Sequence, residues 1–254
     1  MQPTLSVFGI TITTYSLLLV AGLYLGLALS LILSPRRGIK RPYAFLMAIL
    51  CLLGGFVGAR FLYVLTHLPG VIERIGRGEW APVFALILRG GLVFLGGLLG
   101  GALVSIIMAR HFRIPWLSFA DVLLPGVAIG QAVGRLGCYF AGCCYGVPSE
   151  HFGVVFPEGS LAPAGIALLP TQWIESVALL FLTAILVVLL LRGNVGTVTM
   201  VYLLAYGTFR FVLEFFRGDD IRGFWGPFST SQWIALLLIF SGLFLGLRQR
   251  MVHR

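Results

Sequence analysis

Ile10-Thr-Ile-Thr-Thr-Tyr-Ser-Leu-Leu-Leu-Val-Ala-Gly-Leu-Tyr-Leu-Gly-Leu-Ala-Leu-Ser-Leu-Ile-Leu33 contains no charged side chain. A helix rises about 1.5 Å per residue, so roughly 20 apolar residues cross the hydrocarbon core of a bilayer. The run is longer than the apolar core of a signal peptide, and the preceding Met1 to Gly9 carries no positive charge. It reads as a retained first span over residues 11–33. Working outward, comparable runs occupy 43–66, 90–110, 118–140, 172–192, 196–216 and 229–248. Breaks flank them at Pro35 and Gly38, Pro69 and Gly70, Pro115, Pro148, Pro170, Gly193 and Asn194, and Gly226 and Pro227.

Composition agrees. Of 254 residues, 59% are hydrophobic and 11% charged, and the mean hydropathy is +1.00. Soluble domains carry about a quarter charged residues, so a soluble enzyme is excluded; disorder is excluded by the same numbers. The expected fold is an all-α integral membrane protein of about seven transmembrane helices, a single polytopic domain over 1–254.

The net charge of +9 comes from 18 Lys and Arg against 9 Asp and Glu, and every basic residue except Lys40 is Arg. The basic groups flank spans, which points to topology and anionic headgroups rather than nucleic acid. One set of loops holds Arg36, Arg37, Lys40 and Arg41, then Arg110 and Arg113, Arg192, and Arg248, Arg250 and Arg254. The alternate set is poorer in positive charge: Arg74, Arg77 and Arg89 with Glu73 and Glu79, then 146–170 with no Lys or Arg, then Arg217 and Arg222 beside Asp219 and Asp220. The positive-inside rule therefore places the amino terminus outside and the carboxy terminus in the cytoplasm.

Ionisable groups in or at the ends of spans carry the functional signal: Arg60, Asp121, Arg135, Glu175, Arg210, Glu214 and Arg217. Each costs about 2.5–3.5 kcal/mol in hydrocarbon unless paired or hydrated. Arg210, Glu214 and Arg217 follow an i, i+4, i+7 spacing that gathers them on one helix face. Such a face is either a closed Arg–Glu–Arg ladder fixing helix packing or a grip for phosphate, with Glu214 orienting the arginines. Arg135 and Arg60 add positive groups on other spans. Four arginines against few intramembrane acids favour the grip, because an anionic headgroup would balance the surplus.

A second cluster reads Gly134-Arg-Leu-Gly-Cys-Tyr-Phe-Ala-Gly-Cys-Cys-Tyr-Gly146. Its glycines suggest a broken or re-entrant segment lining a cavity. Cys138, Cys143 and Cys144 allow three readings: buried small hydrophobes, a disulfide, or a nucleophile or metal-ligand set. No nearby His or fourth Cys completes a zinc pattern, so neither metal nor cofactor is expected. Arg135 precedes Cys138 by three residues, so on a continuous helix the arginine would favour a Cys138 thiolate able to act as base or nucleophile.

These residues resemble the prolipoprotein diacylglyceryl transferase family. Gly134-Arg-Leu-Gly with Gly142 and Gly146 is similar to G-R-x-G-N-F-x-N-x-E-x-x-G. Tyr206-Gly-Thr-Phe-Arg-Phe-Val-Leu-Glu-Phe-Phe-Arg217 resembles Y-G-x-x-R-x-x-x-E-F-F-R nearly residue for residue. Pro170-Thr-Gln-Trp-Ile-Glu175 resembles P-S-Q-x-Y-E, Ser231-Gln232 opens the last span, and Gly90-Gly-Leu-Val-Phe-Leu-Gly-Gly97 resembles G-G-M-S-F-H-G-G. Tyr15 matches a family tyrosine. The resemblance implies a transferase that moves the diacylglyceryl group of phosphatidylglycerol, or another anionic phospholipid, to the lipobox cysteine of a prolipoprotein, releasing glycerol 1-phosphate. It implies a place in the bacterial cytoplasmic (inner) membrane. Arg135 and Arg210, with Cys138 and Cys143, stand at the catalytic positions. Tyr15, Arg60, Gly134, Gly137, Gly142, Gly146, Glu214 and Arg217 stand at substrate-binding ones. The chain departs from the family at Leu95 for histidine, Cys138 and Ala141 for asparagines, and Cys143 for glutamate. That pattern leaves two readings: a transferase, if need be with an altered acceptor, or a non-catalytic protein that binds or moves lipid on the same fold.

Overall fold

The computed structural model describes residues 4–7, 10–219 and 223–252. Asp220, Arg222 and Arg254, which entered the charge count of the loops, lie outside the described residues. The elements run β1 (Thr4–Val7), β2 (Ile10–Thr13), α1 (Thr14–Leu33), α2 (Arg41–Thr66), α3 (Leu68–Gly76), α4 (Trp80–Arg89), α5 (Phe94–His111) and α6 (Trp116–Ala141). They continue β3 (Val154–Val155), β4 (Ala167–Leu168), α7 (Thr171–Arg192), α8 (Thr197–Leu213), β5 (Phe224–Trp225), β6 (Phe228–Ser229) and α9 (Thr230–Val252). Among the described residues, seven helices are long and apolar enough to cross a membrane: α1, α2, α5, α6, α7, α8 and α9. Each coincides with an expected span to within a few residues. The main shifts are at starts: residues 10–13 are a strand capped into α1 by the Thr13 side chain, and α5 begins four residues after Gly90.

Burial is distributed as lipid demands. Phe181, Phe240, Phe244 and Tyr24 are at least 65% exposed, while Asp121, Glu175, Glu214, Gln172 and Ser229 are at most 4% exposed. Water would reject that apolar exterior; hydrocarbon accepts it, and the polar groups must then satisfy one another inside.

Contacts divide the chain into two units. One comprises 38–119. In it, α2 and α5 lie backbone to backbone: a Cβ on Gly58 would strike the Gly96 carbonyl oxygen, and one on Gly100 would strike that of Gly54. Small residues let the two helices close this gap, as in other membrane bundles. Between α4 and α5 the chain breaks at Gly90-Gly91, where Val93 N–H donates to the Ala59 carbonyl at 3.1 Å.

The other unit comprises 1–37 and 120–254. There α1 meets α6 through Gly26 and Gly126, whose backbones are too close to admit a Cβ on either. Ser176 on α7 donates to the Ala132 carbonyl of α6 at 2.9 Å. Asp121, fully buried on α6, accepts from Gly196 N (2.7 Å), Thr199 N (2.9 Å), Thr199 Oγ1 (2.7 Å) and Arg37 Nη2 (3.1 Å). Its negative charge thus sits at the amino end of α8, where the helix dipole and unpaired N–H groups favour it. The start of α9 is closed by a reciprocal cap: Gln232 N–H donates to Ser229 Oγ at 3.2 Å and Ser229 N–H to Gln232 Oε1 at 2.9 Å.

Candidate active site

The site grows from the end of α6. The helix runs unbroken through Gly134 and Gly137 to Ala141, so the expected break comes later than the glycine spacing suggested. Gly134 faces open space, and Gly137 makes room for α1: a Cβ there would sit 3.3 Å from the Tyr15 ring. The break falls at Gly142, with φ +72°, where a Cβ would also lie 2.8 Å from that of Ser160. Continuity of α6 puts Arg135 and Cys138 on one face, one turn apart.

Arg135 points Nε at Glu175 Oε2 of α7, at 3.0 Å; Arg210 of α8 reaches the same oxygen with Nη1 at 3.4 Å. Arg210 Nη2 meets Glu214 Oε2 at 2.8 Å and Ser231 Oγ at 3.3 Å. Glu214 Oε1 accepts from Ser229 Oγ at 2.9 Å. The α-helix ends at Leu213, a 3-10 turn covers Glu214–Phe216, and Arg217 is extended. The three charged groups nevertheless converge, with Arg217 Nη1 3.8 Å from Glu214 Oε2. Arg217 also donates side-on to both carboxylate oxygens of Asp219, at 3.0 Å from Nε and 2.6 Å from Nη2. Tyr206 donates to Glu175 Oε1 at 3.3 Å and stacks on Tyr202.

This corrects the expected surplus of positive charge. Arg135, Arg210 and Arg217 are met by Glu175, Glu214 and Asp219. The balance was hidden because Glu175 comes from α7 and Asp219 from the loop beyond α8. The arginines differ in access: the Arg135 side chain is 21% exposed, against 9% for Arg210 and 8% for Arg217. Arg135 is therefore the most accessible of the three guanidiniums, backed by a held lattice of charge-assisted bonds.

Arg60 has another use. It lies in the unit 38–119, where its guanidinium donates to the carbonyls of Leu88 (3.2 Å), Gly91 (3.1 Å) and Gly90, with Phe56 against its face. These bonds clamp the break between α4 and α5 and quench carbonyls that hydrocarbon could not. Leu95 sits in the first turn of α5.

Past Gly142 the chain turns back on α6. Cys143 N–H donates to the Cys138 carbonyl at 3.1 Å. Thr171 Oγ1 holds the Cys144 carbonyl and Gln172 Nε2 the Cys143 carbonyl, each at 2.7 Å. Cys144 adopts φ +61°, a left-handed conformation unfavourable for a residue with a side chain. The outcome is that the sulfurs of Cys138, Cys143 and Cys144 lie within 4.8 Å of one another. All are free thiols, as is Cys51, which is buried in α2. Hydrogen bonds from the Cys138 and Cys143 thiols hold the Cys144 thiol well below its ordinary range. Burial opposes this, while the positive charges of Arg217 and Arg135 add to it.

Gly146 joins the thiol loop to the arginines. Its N–H donates to the Leu169 carbonyl at 2.8 Å and it pairs with Arg217 as an isolated bridge. A Cβ would lie 2.7 Å from Leu169 O and 2.8 Å from Phe216 O, so only glycine passes between them. Beside the polar cluster, a cavity of about 310 Å³ between α7 and α8 is lined by Leu179, Phe181, Leu182, Ile185, Phe209 and Tyr206, among others. It is apolar except at Tyr206, whose hydroxyl ends at Glu175.

Sequence reasoning named Glu175 but not its place as the shared hub, gave no bonding role to Asp219, Thr171 or Gln172, and passed over Ser229. The signal for Glu175 was present, as an acid in the first turns of an apolar span; only its partners were unreadable.

The family model for prolipoprotein diacylglyceryl transferase matches residues 3–248. Phosphatidylglycerol–prolipoprotein diacylglyceryl transferase 2 of Clostridium perfringens is 34% identical over 250 residues, covering 94% of this chain and 91% of that protein. The Clostridium tetani transferase is 34% identical over 248 residues, covering 96% of each. That of Gloeobacter violaceus is 31% identical over 245 residues, covering 94% of this chain and 87% of its own. With the match running through every span and both charged motifs, the chain belongs to the prolipoprotein diacylglyceryl transferase family.

Proposed function

We propose that the protein transfers the diacylglyceryl group of phosphatidylglycerol to the lipobox cysteine thiol of prolipoproteins, in the bacterial cytoplasmic membrane. The observation that carries this is the Arg135–Glu175–Arg210–Glu214–Arg217 lattice at the ends of three spans, set beside an apolar cavity that we assign to an acyl chain. The amino terminus lies outside, which puts the lattice at the outer surface, where exported prolipoproteins arrive.

In the reaction the acceptor sulfur attacks the terminal glyceryl carbon, and the carbon–oxygen bond to phosphate breaks. The phosphodiester carries one negative charge, while the departing glycerol 1-phosphate gains a second. Fixed positive groups near that oxygen therefore bind the transition state better than the ground state. Arg135 offers the accessible guanidinium, and Arg210 stands behind it; Glu175 and Glu214 fix both forks in advance of the ligand. Tyr15, against Gly137, flanks the same helix end, and the open space at Gly134 leaves room for the headgroup.

The test is incubation of purified protein with headgroup-labelled phosphatidylglycerol and a lipobox peptide in vesicles. Release of glycerol phosphate with lipid on the peptide cysteine is expected. Absence of both overturns the transferase reading, and binding of phosphatidylglycerol without turnover would point to the lipid carrier instead.

A further inference from the structure

Leu95 and Ala141 carry no group that can take a proton, and Glu175 and Glu214 are engaged by arginines. The reaction nevertheless needs its acceptor as a thiolate, since a neutral thiol is a poor nucleophile. We propose that Cys138, Cys143 and Cys144 form a three-thiolate zinc site whose fourth position takes the acceptor thiol. This rests on the transferase reading above and supplies its missing activating group.

The geometry is prepared for a metal. At about 2.3 Å per Zn–S bond, a tetrahedral site needs sulfur–sulfur separations near 3.8 Å; the three sulfurs already lie within 4.8 Å of each other. Closing on a metal shortens the widest spacing by no more than about 1 Å. The convergence is held rather than incidental. Cys144 is kept at φ +61°, and the loop is tied from outside by Thr171 and Gln172. Three protein ligands with an open fourth position are the pattern of reactive zinc, not of structural zinc.

Charge also fits. Zinc with three thiolates is a monoanion, and an added acceptor thiolate makes it a dianion. Arg135 stands one helical turn from Cys138, and the Arg217 backbone is bridged to Gly146 at the end of the same loop, so two guanidiniums, each also paired with a carboxylate, border the site.

The steps balance. Three cysteine thiols release three protons to solvent on binding Zn²⁺. The acceptor thiol releases a fourth as it takes the open position. The coordinated sulfur then forms its bond to the glyceryl carbon, and the carbon–oxygen pair leaves on glycerol phosphate. The thioether product has no negative charge on sulfur and dissociates from the metal. No oxidant or reductant takes part, and no histidine is needed.

The experiment uses the full-length protein, reduced and in detergent, stripped with a chelator and titrated with Co²⁺ as a visible stand-in for zinc. One Co²⁺ per chain with thiolate charge-transfer absorbance is expected. A lipobox peptide should change that spectrum, whereas its Cys→Ser form should not. X-ray absorption of the zinc form should count three sulfurs, rising to four with peptide. Cys138→Ser, Cys143→Ser and Cys144→Ser should each weaken binding at least about 100-fold, beyond the loss typical of an outer-sphere change; Cys51→Ser should not. The sulfur count on the unaltered protein holds even if a variant misfolds. Absence of stoichiometric thiolate-bound metal overturns the site. Metal that ignores the peptide thiol, or full transfer by chelated protein, overturns its role. A peptide-responsive metal site in a protein that transfers nothing supports the site and sinks the transferase reading instead.

Discussion

Two buried charge networks occupy the same unit, and they are built to different ends. Asp121 is fully enclosed, and its four bonds go to Arg37, Gly196 and Thr199, all of them holding α8 in place. Glu175 and Glu214 are as deeply buried, yet one of their arginines, Arg135, keeps 21% of its side chain exposed. A closed network fixes packing; one with an accessible, pre-oriented fork can also bind. Burial of the acid does not separate the two cases. Access of the partner cation does.

The sharpest way to break this comparison is at Asp121. Asp121→Ala leaves Arg37 without its carboxylate and the start of α8 without its acceptor, and should cost about 3–5 kcal/mol of stability. Thermal unfolding in detergent reads this; an unchanged midpoint would erase the distinction. Arg135→Ala should act the other way, sparing folding and membrane insertion while lowering transfer by about 10- to 150-fold, the worth of a charge-assisted hydrogen bond of roughly 1.5–3 kcal/mol. Arg135→Lys should recover only part, because an ammonium lacks the planar fork. Wild-type rates for both variants would remove Arg135 from the site.

A smaller effect is expected at the link between the thiol loop and the arginines. Gly146→Ala must push apart Leu169 and Phe216 and should cost about 1–3 kcal/mol, as overpacking does; melting curves decide it. Smallest is Ser229→Ala, which removes a helix cap and a donor to Glu214. About 1 kcal/mol is expected, with transfer still measurable, and a complete loss of transfer would move Ser229 from support into the site.

Much of the architecture was legible because a bilayer imposes one rule on every span. Length and the absence of charge located all seven long helices. Helix ends were harder, since Gly134 and Gly137 look like breaks but serve close packing and open space within α6. At the site, the i, i+4, i+7 pattern found Arg210, Glu214 and Arg217, although the helix ends after Leu213. The hub Glu175 and the convergence of three sulfurs were not legible. Each depends on bonds between segments about 30 residues apart or more, such as Gln172 to the Cys143 carbonyl, which no local spacing encodes.

The anchor at Asp121 also bears on the order in which the chain is made. Three of its four bonds come from Gly196 and Thr199, which leave the ribosome some 75 residues after it. Until α8 has been inserted, α6 carries a carboxylate with only Arg37 to meet it. A chain truncated before α8 therefore keeps this acid with one of its four bonds available and three missing. The same residue that locks the finished bundle marks the unfinished one as incomplete, giving membrane quality control a chemical feature by which to tell them apart.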